Sequence, residues 1–248
     1  MKQVISYSLY GQQAKFLVGA IKNAQLAQRF FPGFTVRFYV GNSVPTWCRS
    51  TLALFPNVEL IPVDEREDSI ARLWRFRAIF DPEVDVVLSR DADARLSYRE
   101  ALAHQEFLDS PYGFHIIRDH PTGHGYLISA GMFACKTRDM HFFEKLMNET
   151  PMVDTYMQDQ EFLSSQIYPQ IAGNCLVHDP YYNYQPSEPS KKTIIKRKKI
   201  NTVCHIGAAL DENDVFVYRA DFEMSLQESG HVKYIYDWGT DEDLNYGK

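Results

Sequence analysis

Apolar positions recur along this chain with two different periods. The opening run KQVISYSLY (2–10) reads as a strand. Over residues 13–30, Phe16, Leu17, Ala20, Ile21, Ala24 and Ala27 fall at helical spacing, which predicts a helix with one apolar stripe. FPGF (31–34) stops that helix, TVRFYV (35–40) predicts a second strand, a short helical stretch follows Pro45, and NVELIPV (57–63) predicts a third strand. DSIARLWRFRAIF (68–80) carries a helical pattern until Asp81-Pro82, and VDVVLS (84–89) predicts a fourth strand. Strand and helix in repeated alternation predict an α/β fold with a mostly parallel central sheet and helices on both faces.

The second half is less regular. Ser97 with Glu100 three residues on forms a capping box, so a helix is expected from there to about Leu108. GFHIIRD (113–119) and YLISAGMFAC (126–135) predict strands around the loop DHPTGHG (119–125). Helices are expected over 137–149 and 159–168, and short strands at NCLVHD (174–179) and NTVCHIG (201–207). YYNYQPSEPSKKTIIKRKK (181–199) reads as a loop that orders with a ligand.

Composition narrows the class without naming a chemistry. With 248 residues, 45% of them hydrophobic, the chain suffices for one core, and a single domain over 1–248 is expected. No window is apolar enough for a membrane span and the first twenty residues show no basic stretch followed by an unbroken apolar run, so a cytoplasmic protein without a secretory route is expected. Cys48, Cys135, Cys175 and Cys204 fit no CxxC pattern, which argues for reduced, buried thiols. The net charge of −6 argues against a nucleic-acid partner. Six of the 26 basic residues nevertheless crowd into KKTIIKRKK (191–199), a candidate for phosphates or for peripheral contact with an anionic membrane.

The chemistry concentrates in VVLSRDADARLS (86–97). An apolar strand ends at Arg90, and Asp91 and Asp93 follow in the turn before a capped helix. That edge of an open α/β sheet is where ligands bind. Two carboxylates spaced one apart can share Mn2+ or Mg2+, leaving positions open for the oxygens of a diphosphate.

VDVVLSRDADARLS resembles the DxD segment of the GT-A glycosyltransferases, whose nucleotide-diphospho-sugar domain is Rossmann-like. MQDQEFLSSQI (157–167) is similar to the Asp-Gln-Asp segment of the retaining glycosyltransferase family eight, the glycogenin and lipooligosaccharide galactosyltransferase type. CHIGAAL (204–210) resembles that family's late His-x-x-Gly stretch, with the spacing His-x-Gly here. The resemblance implies a GT-A fold, with 1–108 as the nucleotide-sugar-binding half and 109–248 as the acceptor-side half. It makes Asp91, Asp93 and His205 the metal ligands. It gives Asp159 the sugar hydroxyls and places Gln160 beneath the anomeric carbon. Arg72-Leu73 matches a family pair whose guanidinium reaches the donor sugar, with Arg75 as the alternative on the same helical face. Arg90, Ala92 and Gly131 are expected along the same donor wall, Gly131 because it lets backbone approach closely. Tyr7 or Tyr10 would stack on the nucleobase. His115, His120 and His124, with Asp119, match no zinc signature and are assigned to an acceptor-facing loop.

Two departures accompany the resemblance. The family has a lysine after the late glycine to hold the diphosphate, and GAALDEND (207–214) has none, which leaves that role to the basic cluster or to a helix arginine. Arg90 stands where the family has an apolar residue, either to hold the carboxylates or to reach the donor. The activity implied is metal-dependent transfer of a sugar from a UDP- or GDP-sugar to a glycan, lipid-linked or protein hydroxyl, with retention. The alternatives are a nucleotidyltransferase acting on sugar phosphates and a non-catalytic nucleotide-sugar-binding module. The first expects a Gly-rich basic loop after the opening strand, where YSLYGQQAK has one glycine. A phosphohydrolase of the haloacid-dehalogenase kind is disfavoured, because its motif follows the first strand and has Thr or Val where Arg95 stands.

Overall fold

The computed structural model describes residues 1–120, 126–179, 205–218, 220–221 and 224. Seven strands, β1 (Gln3–Leu9), β2 (Thr35–Gly41), β3 (Val58–Val63), β4 (Val86–Arg90), β5 (Phe114–Ile117), β6 (Met132–Lys136) and β7 (Cys175–His178), form one sheet in the order β3-β2-β1-β4-β6-β5-β7. β1 runs parallel to β2 and β4, β2 to β3, and β5 to β7, whereas β6 is antiparallel to both neighbours. The sheet is therefore mostly parallel, and strands from both halves of the chain share it.

Alternation along the strands sends successive side chains to opposite faces. Ile5, Tyr7, Leu9 and Leu88 pack toward α1 (Ala14–Phe30), α2 (Thr46–Leu52) and α3 (Tyr98–Asp109). Val4, Val87 and Phe133 pack on the other side, against Ala71, Trp74 and Phe76 of the helix Ser69–Phe80, against α4 (His141–Glu149) and against α5 (Gln158–Phe162). Covering both faces is what allows Val86, Val87 and Leu88 to follow one another in β4. α3 starts as its capping residues predict, with Glu100 N donating to Ser97 Oγ at 3.1 Å.

Several elements differ from the sequence expectation. Ser69–Phe80 winds as a 3-10 helix. Asp68 Oδ1 accepts from Ile70 N at 2.8 Å, and β1 serines take further backbone groups: Ser6 Oγ donates to Arg75 O (2.6 Å) and Ser8 Oγ donates to Arg72 O (3.0 Å). Three residues per turn bring residues three apart into line, which aligns Arg72 with Arg75. In YLISAGMFAC only Met132 onward is strand. Ser129 O accepts from Met132 N at 2.9 Å, making a turn that holds Gly131. The described part of NTVCHIG, His205 to Gly207, is a turn with Gly207 at φ +83°, not a strand. Residues 201–204, the cluster 191–199 and His124 lie outside the described residues. Among the described residues no helix is long and apolar enough to cross a membrane, and Cys48, Cys135 and Cys175 are free and buried.

Candidate functional site

β4 delivers the chain to the carboxyl edge of the sheet, and the turn Asp91–Ala94 sits there on α1. Asn23, a buried polar residue in the apolar stripe of α1, holds it. Asn23 Nδ2 donates to Ala92 O (3.3 Å) and Ala94 O (2.8 Å), and Asn23 Oδ1 accepts from Leu96 N (3.0 Å). Gly19, one turn earlier, lies so close that an added Cβ would collide with Ala92 O. From the other side Arg95 donates to Asp93 O (3.2 Å), Ala94 O (3.0 Å) and Asp211 O (2.9 Å) and pairs with Asp214 (2.9 Å), seating the segment 205–218 on the turn. Gly131 packs behind Asp91 so tightly that any Cβ would strike the carboxylate.

The charges at this edge are arranged in pairs. Arg75, 3% exposed, donates from Nη1 to Asp91 Oδ1 and to Arg90 O (3.2 Å) and from Nη2 to Asp159 Oδ2 (2.8 Å). Burial works against its positive charge, but the two carboxylates more than offset that and raise its pKa. Lys15 Nζ lies 2.8 Å from Asp93 Oδ2. Burial and the charge of Asp91 push the Asp93 carboxyl up, while Lys15 pulls it back. Asp159 is buried at the start of α5, just after Met157, whose φ of 69° is left-handed and uncommon for a side chain of this kind. Gln160 Oε1 accepts from Ala130 N at 3.0 Å, which ties α5 to the turn holding Gly131.

These groups surround a cavity of about 490 Å³, lined also by Ser8 and Tyr10 from β1, by Arg72, and by Gly207, Ala209 and Tyr218. A cavity of that size suits a small organic ligand. The structure thus brings Arg72, Arg75, Asp91, Ala92, Asp93, Asp159 and Gln160 onto one wall, with Gly131 behind it.

Four expectations are corrected. Tyr7 is 0% exposed and stacks on Phe38 at 5.0 Å, because its place in β1 faces α1. Tyr10, beyond the strand end, reaches the pocket and meets Trp74 edge-on at 5.7 Å. Arg90 is buried on the α3 face, paired with Glu100 and donating to Ser89 O (2.7 Å) and Phe133 O (3.0 Å), so it reaches neither the carboxylates nor the cavity. His205 is buried beside His120 (4.9 Å between ring centres) and Phe216 (5.4 Å) and does not line the pocket; the turn at Gly207 presents Gly207 and Ala209 instead. Asp119 is buried, paired with Arg99 and accepting from Ile206 N at 2.9 Å.

No group of three or more His, Cys, Asp or Glu among the described residues is placed to hold a metal ion. What the wall offers is a carboxylate pair, half-exposed at Asp91, whose mutual repulsion a cation would relieve. Mg2+ and Mn2+ accept such oxygen pairs, with water and phosphate completing the shell. Asp91 and Asp93 therefore fit a divalent cation, and His205 does not complete their set. Lys15 and Asn23 went unforeseen. Asn23 has a signal, a polar residue on the buried stripe of a helix, whereas Lys15 has none.

No family model matches the chain, and no curated protein sequence matches it. Solved structures match in three dimensions. A mannosyltransferase from Pyrobaculum calidifontis, in complex with GDP-Man and Mn2+, is 13% identical with TM-score 0.50, covering 73% of this chain and 55% of that one. A glycosyltransferase involved in glycosylation of the major capsid of PBCV-1 is 22% identical with TM-score 0.47, over 73% and 82%. The galactosyltransferase LgtC, in complex with donor and acceptor sugar analogs, is 14% identical with TM-score 0.48, over 75% and 76%. Nucleotidyltransferases match as well. At such identities the likeness is one of fold, and the chain has the GT-A arrangement: a mostly parallel seven-stranded sheet covered by helices, with a pocket at its carboxyl edge.

Proposed function

We propose that the pocket binds a nucleoside-diphosphate sugar and passes its sugar to a hydroxyl of a glycan, lipid-linked or protein acceptor. The observation that carries this reading is Arg75. One buried guanidinium joins Asp91 to Asp159, so that the two segments resembling the DxD and Asp-Gln-Asp stretches of family eight form a single wall. In this reading Asp91 and Asp93 hold Mn2+ or Mg2+, which when bound offsets the charge of the diphosphate. Asp159 holds sugar hydroxyls, Gln160 stands beneath the anomeric carbon, and the configuration there is retained. Arg72 reaches the sugar, and Tyr10, in place of Tyr7, offers its ring to the base.

Thermal melting against a panel of UDP- and GDP-sugars, with and without Mn2+ or Mg2+, tests the proposal. One donor at saturating concentration should raise the melting temperature by roughly 5 °C in the presence of the cation. Asp91→Ala and Asp93→Ala should abolish that shift. No shift with any donor under any cation condition rules the reading out. Pyrophosphate release from a nucleoside triphosphate and a sugar phosphate would instead mark a nucleotidyltransferase.

A further inference from the structure

A departing diphosphate needs cationic donors close to its oxygens. The segment where family eight has its late lysine contains no lysine or arginine over residues 205–218, and its pocket face consists of Gly207, Ala209 and Tyr218. Among the described residues, three basic side chains line the pocket: Lys15, Arg72 and Arg75. Arg75 is locked between Asp91 and Asp159. The Arg72 guanidinium lies 5.0 Å from the centre of the Tyr156 ring at the rim.

Lys15 is placed differently. It stands in the first turn of α1, where the backbone dipole favours anions. Its side chain is 24% exposed, and its ammonium meets the carboxylate that a divalent cation would need, Asp93. In the ligand-free protein Asp91 therefore faces Arg75, which it shares with Asp159, and Asp93 faces Lys15, so each carboxylate of the pair has a cationic partner without a metal ion. A divalent cation arriving at the same oxygens repels the ammonium, and a lysine stem is flexible enough to move.

We infer that Lys15 is an exchangeable cation, which neutralises Asp93 in the ligand-free protein and is displaced by the divalent cation onto the diphosphate of the donor. The inference rests on the nucleotide-sugar reading and supplies the lysine that residues 207–214 lack. Lys15 competes with the cation for Asp93 and cooperates with it toward the diphosphate, so its removal has effects of opposite sign.

Binding measurements on the wild type, Lys15→Ala and Lys15→Met separate these effects. Mn2+ alone is titrated with free Mn2+ read by electron paramagnetic resonance, and then UDP and GDP are titrated calorimetrically into each Mn2+-loaded protein. Both variants should bind Mn2+ about tenfold more tightly, and the preferred diphosphate about tenfold more weakly, than the wild type. Unchanged Mn2+ affinity overturns the exchange, and unchanged diphosphate affinity overturns the phosphate-binding role. Lys15→Met keeps the apolar stem beside Phe16, and ligand-free melting curves identify a variant that has merely lost its fold. A wild type that binds neither diphosphate refutes the nucleotide-sugar reading itself, a result distinct from variants that match a binding-competent wild type.

Discussion

Two polar networks in this protein are each built around buried side chains, Arg75 and Asp159 in one and His115 and His178 in the other, and they treat charge in opposite ways. At the sheet edge Arg75 stays charged between Asp91 and Asp159, beside an open cavity. Beneath α3, His115 Nε2 lies 2.8 Å from His178 Nδ1, and His178 Nε2 lies 3.0 Å from Glu106, and none of the three lines the cavity at the sheet edge. Next to them His104 is boxed by Phe31, Phe34 and Phe107, and neither of its ring nitrogens finds a hydrogen-bond partner among the described residues. Burial drives the pKa of His104 and of His115 well below the usual histidine range, and nearby positive groups push the same way. Desolvation wins at His104 and His115 because, among the described residues, the neighbouring groups that act on their charge also disfavour it. It loses at the edge because two carboxylates face one guanidinium. Burial of titratable groups therefore does not by itself mark a site; retained charge next to accessible volume does.

The largest effect that could break this comparison is expected from Arg75→Met. It strands the buried Asp159 carboxylate and should cost about 3–5 kcal/mol in urea denaturation. Adding Asp159→Asn should recover most of that loss, and a neutral Arg75→Met would mean that the edge network holds no compensated charge. A smaller cost, about 1–3 kcal/mol, is expected from Gly131→Ala, whose methyl must displace the Asp91 carboxylate. The same variant should lose the cation-dependent donor shift, which a purely structural glycine would leave in place.

The smallest effect tests the other network. His104→Phe removes a ring whose nitrogens have no hydrogen-bond partner among the described residues and should stabilise the protein by about 1 kcal/mol at neutral pH. Because the folded pKa values of His104 and His115 are depressed, the unfolded chain binds protons that the folded chain refuses once the pH falls below about 6.5. Their contribution is present above that pH and is lost as the pH falls through it, so denaturation midpoints across pH 5–8 should decline less steeply in His104→Phe. An unchanged slope would show that the folded pKa of His104 is not depressed.

Much of this architecture was legible beforehand, and the reason lies in periodicity. Over residues 1–108 the strands and helices are long enough for their apolar periods to show, and the position of Asp91 and Asp93 after a buried strand placed them at the sheet edge where the cavity lies. Asp159 and Gln160 were reached through the resemblance of their segment, and the cavity contains both. The reversed direction of β6 was not legible, because a strand's pattern carries no direction.

The sequence by itself determined the alternating α/β order, the carboxylate turn at the end of β4 and the cap of α3, since each depends on residues near one another in the chain. Only the tertiary structure decided between Tyr7 and Tyr10, turned Arg90 toward Glu100, withdrew His205 from the pocket and brought Lys15 to Asp93, 78 residues away. Those outcomes depend on which element covers each face and on electrostatic partners from distant segments, and neither leaves a local pattern to read.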